Sequence, residues 1–272
     1  MKQTILKYSS LLALISSSFI SSQIYAAECA TGASPDDSCT IDVSNTTYTL
    51  TGDINTNTTD NIIDFGAGAN SNTLNFIGNI TSEGLDARAF SFSNNDGNTL
   101  TMTGNIITEG NAAEGIKLFP GVTNANINMT GNITSNGNVA DGLNITGSDS
   151  NDLTMIGNIT TKGSTAWGIN ITYTGRNGSE SNNVTMTGNI TTEGTNGTAI
   201  GINGSDGNDV TMTGDIVTKE LNGYGLYLNG SDSNTSIITG SISTEGKDAY
   251  GVYIYTGSDS NSSTIIGNIS TS

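Results

Sequence analysis

Apolar and polar residues alternate in short segments that recur along the chain. In a typical segment, Leu153 and Met155 precede Gly157 by four and two residues, and Ile159 follows it by two. A period of two places such side chains on one face of an extended chain. The residues between them are mostly threonine and asparagine, as is typical of a solvated face. The pattern therefore predicts an extended piece with one buried face.

A second extended piece follows each of these glycines at a nearly fixed distance. Its apolar pair lies twelve and fourteen residues after the glycine, as Ile169 and Ile171 do after Gly157. A turn such as Thr-Glu-Gly at 192–194 separates the two pieces, and a Gly-Ser-Asp-Ser-Asn turn, as at 147–151, follows the second. Glycine, asparagine and aspartate suit such turns because they tolerate positive φ or bond to nearby backbone.

The two pieces belong to a repeat that is marked by the tripeptide Gly-(Asn/Asp/Ser)-Ile. The tripeptide occurs nine times, at intervals of 26 or 27 residues except for one of 31, which carries extra residues around 174–181. Its glycines are Gly52, Gly78, Gly104, Gly131, Gly157, Gly188, Gly214, Gly240 and Gly267. One unit has too little apolar surface to fold alone, whereas stacked units bury a continuous aliphatic column.

The repeat predicts an all-β fold, a parallel β-helix (solenoid) with coils of about 26 residues. Nine coils at a strand spacing of about 4.8 Å would form a rod on the order of 40 Å long. Because the extra residues of the long interval are confined to one place, they indicate a surface loop. A globular sandwich of short strands is the rival fold, but a sandwich does not need the same residue at the same phase of every unit.

The N-terminus has the layout of a secretory signal peptide. Lys2 and Lys7 flank the start of an apolar, serine-diluted stretch, and Ala26 and Ala27 supply the small residues of a cleavage site. The alternative is a membrane anchor, but the stretch is short for the roughly 20 apolar residues of a span. We therefore expect residues 1–26 to be a cleaved signal peptide and the protein to be exported. No later segment has the pattern of a transmembrane helix.

The ends of the mature chain depart from the repeat. Ile62, Ile63 and Phe65 are out of phase with the apolar pairs of later units. Residues 27–66 are therefore expected to form an N-terminal cap and an irregular first coil. Residues 67–272 are expected to form repetitive coils that are open at the C-terminus, because the last repeat stops part-way. The chain is accordingly expected to be the front part of a longer protein.

The only two cysteines are Cys29 and Cys39. In an oxidising compartment we expect them to form a disulfide that staples the start of the fold. A zinc or redox site is the poorer alternative, because the chain has no histidine, no third cysteine and no Cys-x-x-Cys motif. No metal site and no cofactor are predicted.

The signal peptide and the repeat together resemble the passenger domains of autotransporters. The resemblance lies in units such as Asn-Asn-Val-Thr-Met-Thr-Gly-Asn-Ile-Thr-Thr-Glu-Gly at 182–194 and Ala-Tyr-Gly-Val-Tyr-Ile at 249–254. It implies a right-handed β-helix on the surface of a Gram-negative bacterium, at the outer membrane or outside the cell. It also implies a role in adhesion or autoaggregation. Because no run of barrel strands ends the chain, we expect a passenger that is truncated before the barrel.

The sequence offers little support for catalysis. With no histidine, the usual general base and the Ser-His-Asp or Cys-His arrangements are excluded. Polysaccharide-cleaving β-helices need clustered acids with arginine or lysine, but Arg88 and Arg176 are separated by about three coils and the lysines are scattered. We therefore predict no catalytic residues, and a polysaccharide-acting enzyme is only a minor alternative.

Two further patterns on the repeat have alternative readings. The aspartates of the Gly-Ser-Asp turns, Asp149, Asp206, Asp232 and Asp259, could hold calcium between coils, but a turn residue that bonds its own backbone is favoured. Thr-x-Thr pairs such as Thr101/Thr103 could form an ice-binding hydroxyl array. Threonine also simply suits exposed strand positions, so ice binding is another minor alternative.

Five tyrosines distinguish the late coils from the early ones. They are Tyr224, Tyr227, Tyr250, Tyr253 and Tyr255. Because Val252 and Ile254 are predicted to point inward, Tyr253 and Tyr255 are predicted to point outward, with Tyr227 one coil from Tyr253. We predict an exposed aromatic patch that contacts a glycan or a second protein. The alternative is a ladder of stacked rings that stabilises the rod.

These observations predict an adhesin-like surface module, and the alternative is a purely structural stalk of a longer autotransporter. The expected partner is a host-cell or glycan surface ligand, or a second copy of the chain. The whole chain carries 8 basic and 25 acidic residues, a net charge of −17, so it would repel nucleic acid.

Overall fold

The computed structural model describes residues 38–175 and 178–272, and over these residues the chain forms strands and no helix. The strands lie in three parallel sheets, which we name A, B and C. The predicted signal peptide at 1–26, Cys29 and Arg176 lie outside the described residues. Within the described part, no helix is long and apolar enough to cross a membrane.

Each sheet receives one strand from every coil. Sheet A contains β1 (Cys39–Ile41), β4 (Ile63–Phe65), β7 (Phe90–Phe92), β10 (Ile116–Leu118), β13 (Leu143–Thr146), β16 (Ile169–Thr172), β19 (Thr198–Asn203), β22 (Tyr224–Asn229) and β25 (Tyr250–Ile254). Sheet B contains β2 (Thr47–Thr51), β5 (Thr73–Ile77), β8 (Thr99–Thr103), β11 (Asn126–Thr130), β14 (Asp152–Ile156), β17 (Asn183–Thr187), β20 (Asp209–Thr213), β23 (Thr235–Thr239) and β26 (Ser262–Ile266). Sheet C contains β3 (Ile54–Thr56), β6 (Ile80–Ser82), β9 (Ile106–Thr108), β12 (Ile133–Ser135), β15 (Ile159–Thr161), β18 (Ile190–Thr192), β21 (Ile216–Thr218), β24 (Ile242–Thr244) and β27 (Ile269–Thr271).

Every strand pairs in parallel with the equivalent strand of the next coil, so identical phases of the repeat lie side by side. Met155 in β14, for example, is opposite Met186 in β17, although the interval between their coils is the long one. The extra residues of that interval lie between β16 and β17 and leave the register of both strands unchanged. The predicted β-solenoid with coils of about 26 residues is thus confirmed.

The glycine of the repeat is a corner, which corrects one detail of the predicted coil. The pattern around Gly157 indicated a single extended piece, but the structure has two strands, β14 in sheet B and β15 in sheet C. Gly157 has a φ of 146°, and a Cβ atom there would lie 1.9 Å from the backbone oxygen of Gly131. Only glycine fits this bend, because the same glycine of the previous coil lies directly against it.

The predicted aliphatic column forms the core. Leu153, Met155 and Ile159 are all buried, and so are their equivalents in the other inner coils. Ile63 and Phe65, which are out of phase in the sequence, nevertheless lie in register with Phe90 and Phe92. The offset of one residue is taken up before β4, and the rings of Phe65 and Phe92 stack with their centroids 4.3 Å apart.

An inner ladder of asparagines fills the turn between sheets A and B. The backbone N–H of Asn182 donates to Oδ1 of Asn208, 3.0 Å away, and Asn208 donates in the same way to Asn234. The side-chain amides continue the ladder and also cap carbonyl oxygens of the turn. Buried amides are stable only when they are hydrogen-bonded in this way. In one coil Ala125 takes the place of the asparagine, and its backbone N–H still donates to Asn151.

An outer ladder runs along the corner beside the repeat glycines. There the backbone N–H of each coil donates to the side-chain oxygen of the previous coil, as Asn105 does to Asn79 and Asn132 does to Asn105. Both asparagine ladders are formed by the residue that follows a turn glycine or serine, which explains why asparagine recurs at fixed phases.

At the first coil, Cys39 is disulfide-bonded.

Candidate functional site

The outer face of sheet A carries the five predicted tyrosines, and the structure brings all of them together. Tyr224 is opposite Tyr250, and Tyr227 is opposite Tyr253, because β22 and β25 pair in register. Tyr255 follows on the same side, with its ring centroid 5.7 Å from that of Tyr253. We name these five residues the tyrosine platform.

The rings of the platform are nearly parallel. Tyr224 and Tyr227 lie 5.3 Å apart at 16°, and Tyr250 and Tyr253 lie 4.9 Å apart at 19°. Tyr224 also stacks with Tyr253, so the four rings form one contiguous cluster. Tyr250 and Tyr255 are 46% and 52% exposed, whereas the other three are half-buried. The platform is therefore ordered by its own contacts and still presents aromatic surface to solvent.

The phenol groups of Tyr224 and Tyr227 are held in their neutral form. Burial raises the pKa of Tyr224 and of Tyr227, and the neighbouring tyrosines raise it further. A neutral phenol can both donate and accept a hydrogen bond. The platform thus combines apolar ring surface with hydroxyl groups that can donate and accept hydrogen bonds.

Trp167 extends the platform toward earlier coils, and the sequence analysis did not identify it. Its indole contacts the Tyr227 ring edge to face, with centroids 5.9 Å apart at 84°. The ring lies over Gly201, where a Cβ atom would be 2.2 Å from Cζ3 of the indole. Gly201 stands between Asn170 and Tyr227 in sheet A, so the missing side chain leaves the space that the indole occupies.

A polar cleft of about 310 Å³ adjoins Trp167 on the other side. Its lining includes Lys117, Asp141, Asn144, Trp167 and Asn170. Lys117, Asn144 and Asn170 occupy the same outward phase as Tyr227 in successive coils. The cleft and the tyrosine platform are therefore neighbouring parts of one face.

Asp141 organises the cleft. Its Oδ2 accepts hydrogen bonds from the amides of Asn144 (2.6 Å) and Asn170 (2.8 Å), and its Oδ1 accepts one from the backbone N–H of Trp167 (2.7 Å). Burial raises the pKa of Asp141 to about 6, and the Glu114 carboxylate adds to the rise, although the three hydrogen bonds oppose it. Because both oxygens are engaged, Asp141 orients the two amides.

A buried cluster of charges closes the far end of the cleft. Glu114 is buried and pairs through one oxygen with Nε of Arg88, 2.6 Å away, and through the other with Nζ of Lys117. Both cations also lie over the ring of Phe119, about 5 Å from its centroid. The sequence argument that the basic residues are scattered was therefore wrong for Arg88 and Lys117, which converge on one acid from adjacent coils.

The arrangement offers donors and acceptors beside an indole face. Because Glu114 is held by two cations and Asp141 by three donors, their carboxylates are committed to internal partners. The other lining residues include Lys117, Asn144, Asn170 and Trp167, and Oδ1 of Asn170 has no hydrogen-bond partner within the described part of the chain. Such a set can bind a polar, uncharged ligand that also has an apolar face.

The two alternative patterns of the repeat lie elsewhere on the rod. Among the described residues, no group of three or more acids or cysteines is placed to hold a metal ion. Asp149, Asp206 and Asp232 accept hydrogen bonds from the backbone of the next coil, as Asp206 Oδ1 accepts the N–H of Asp232 at 2.7 Å. The Thr-x-Thr pairs lie on the outer face of sheet B, where Ile77 and Ile156 interrupt them.

Comparison with protein-family models, with curated proteins and with solved structures finds no match to this chain.

Proposed function

We propose that this protein is an exported, adhesin-like surface module whose tyrosine platform binds a glycan. The observation that carries the proposal is the contiguous set of partly exposed, nearly parallel rings on the outer face of sheet A. Aromatic rings stack against the apolar faces of sugar rings, and the phenol groups can bond to sugar hydroxyls. The autotransporter resemblance supports a location on the cell surface.

The position of the platform also supports binding. Earlier coils have Lys117, Asn144 and Asn170 at the phase of Tyr227 and Tyr253, and they form sheet A equally well. Tyrosines at this phase are therefore not required by the coil itself. Their concentration in two adjacent coils is typical of a local surface with a function of its own.

A structural ladder is the second candidate role, and the ring stacking favours it as well. Stacked aromatic pairs on neighbouring strands contribute roughly 0.2–1 kcal/mol each. In that case the platform stabilises the rod, and the protein is a stalk. The two roles differ in what happens when the rings are removed.

The test is a triple substitution, Tyr227→Ser, Tyr253→Ser and Tyr255→Ser, in the purified protein. Binding to a glycan array and to host cells should be lost, while the melting temperature should fall only slightly. The matched control is Tyr173→Ser. Tyr173 is also exposed, but within the described part of the chain its ring does not stack with another aromatic ring. A triple variant that melts much earlier and keeps its binding when folded would assign the platform to stability alone.

Export is tested separately. Residues 1–26 fused to a reporter that is active only after export should give signal, and a fusion that starts at Glu28 should not. A reporter that stays inactive with residues 1–26 attached would contradict the surface location without affecting the proposed glycan site.

A further inference from the structure

The tyrosine platform and the polar cleft form one continuous track along the rod axis. The central column of the track is in register from coil to coil of sheet A. Its members are Lys117, Asn144, Asn170, Gly201, Tyr227 and Tyr253. Trp167 joins the two halves, because its ring covers Gly201 and contacts Tyr227. Between the cleft and the platform, the surface of the column is therefore the indole ring of Trp167, which lies where Gly201 has no side chain.

A second column of hydrogen-bonding groups follows the first. Thr172 is opposite Asn203, and Asn203 is opposite Asn229, two residues beyond the central column in each coil. The Asn229 amide donates to Oδ1 of Asn203 at 2.8 Å, which orders both side chains. A ligand on the central column would therefore find hydrogen-bonding partners along one side.

The length of the track follows from the strand spacing. Five steps separate the row of Lys117 from the row of Tyr253, and at about 4.8 Å per step the track is about 24 Å long. One step is close to the length of a pyranose ring in an extended chain. A linear oligosaccharide laid along the axis would thus place about one sugar on each coil, whereas one laid across the rod would contact a single row.

The charges of the track favour an uncharged ligand. Arg88 and Lys117 both pair with Glu114, and the carboxylate of Asp141, which accepts three hydrogen bonds, supplies the second negative charge that balances the two cations. The whole chain has a net charge of −17, so an anionic polysaccharide would be repelled. Rings with an apolar face and equatorial hydroxyls match the indole and phenol surfaces on one side and the amides on the other.

We propose that this track binds a linear, uncharged polysaccharide parallel to the rod axis, with about one sugar per coil from the polar cleft to the tyrosine platform. The inference rests on the proposed glycan-binding function and specifies the chemistry and the direction of the ligand. Asp141 acts as a positioning residue, because it holds the amides of Asn144 and Asn170 and the backbone of Trp167.

The experiment is a chain-length series of β-1,4-linked glucose oligomers, with heparin fragments as the anionic comparison. Trp167 is the only tryptophan of the chain and lies mid-track, so its fluorescence reports binding directly. Affinity should rise with each added sugar to about six units, one for each row, and then level off. Equal affinity for the disaccharide and the hexasaccharide would overturn the axial track, as would tighter binding of heparin fragments.

Substitutions locate the two ends of the ligand. Asn170→Ala should weaken hexasaccharide binding by about tenfold, the effect of losing one well-made hydrogen bond, but leave disaccharide binding at the platform unchanged. Asn128→Ala, on the outer face of sheet B, is the matched control and should change neither. If Asn170→Ala disturbs folding, Lys117→Met at the far end of the cleft provides the same comparison. If neither Asn170→Ala nor Lys117→Met changes the affinity for the hexasaccharide, the inference is wrong.

The two proposals fail in different ways. If no uncharged, anionic or cellular glycan binds to the protein at all, the proposed function fails and the track fails with it. If glycans bind and the tyrosine triple variant abolishes their binding, but chain length and cleft substitutions have no effect, the proposed function stands and only the axial track is wrong.

Discussion

The indole of Trp167 lies directly on the backbone of Gly201 in the next coil, so closely that a Cβ atom there would be 2.2 Å from Cζ3. Gly201 has an ordinary strand conformation, so the constraint is space and not backbone geometry. The pair thus sets the position of the indole between the polar cleft and the tyrosine platform.

Gly201→Ala should displace the indole. The added methyl group cannot be accommodated without movement of the ring, and overpacking of this kind costs about 1–3 kcal/mol. We expect the tryptophan emission to shift to longer wavelength as the ring becomes more exposed to water. Gly66→Ala is the control, since its Cβ would meet its nearest neighbour at 3.4 Å. An unchanged emission spectrum in Gly201→Ala would contradict the close packing.

The buried carboxyl of Asp141 should make stability depend on pH. Its pKa is about 6 in the folded protein against an ordinary value of 3.8, so the folded state binds its proton more tightly than the unfolded state does. Its contribution to the unfolding free energy is therefore largest below pH 3.8, declines as the pH rises to about 6 and is constant above that. The decline is of order 3 kcal/mol.

This dependence is measured by urea unfolding at pH 4 and pH 7. The charged groups that face Asp141 are Glu114 and, through it, Arg88 and Lys117. Asp141→Asn should remove the decline between the two pH values, whereas Asp209→Asn, an exposed acid of sheet B, should preserve it. The same decline in both variants would show that Asp141 is not its source.

Ile159→Asp should disrupt the middle of the rod. Ile159 is 0% exposed in the aliphatic column, and an aspartate there would be a buried charge without a partner. Such changes cost several kcal/mol. Circular dichroism should show a lower melting temperature and a smaller β-sheet signal. Thr160→Asp, whose side chain points away from the core, should melt close to the parent protein.

Asn208→Ala should cost more than Asn105→Ala, although both residues belong to asparagine ladders. In the inner ladder, the buried N–H of Asn182 would lose its acceptor, which costs about 1–3 kcal/mol. In the outer ladder, water can replace Asn105 as the acceptor for Asn132. Chemical unfolding of both variants measures the difference, and equal losses would show that burial does not set the strength of the ladders.

The sequence predicted the coil because the same side chain is buried at the same phase of every unit. It also placed the platform tyrosines, since Tyr253 alternates with Val252, which packs against the core. The corner at Gly157 was not predicted, because a strand that bends through a glycine keeps the same alternation of buried residues as a straight one. Only the backbone angle distinguishes the two.

The polar cleft was missed for a different reason. Its residues come from successive coils, and several of them differ in type at equivalent positions, so the repeat pattern does not reveal the cleft. Glu114, Asp141 and Trp167 occupy equivalent positions before the small residue of sheet A, and their differences made them look like ordinary surface variation. An alignment of the repeats that also compares the residues that differ at this position would have shown that these three side chains are neighbours.

The two asparagine ladders give the rod a polarity. The inner ladder donates from each coil to the next, whereas the outer ladder donates from each coil to the previous one. Wherever both ladders are continuous, a fracture between two coils would therefore leave an inner N–H without its acceptor on one fragment and an outer N–H without its acceptor on the other. Both new ends would carry backbone N–H groups without acceptors. Unfolding that starts at an existing terminus should therefore cost less free energy than separation of two coils in the middle of the rod.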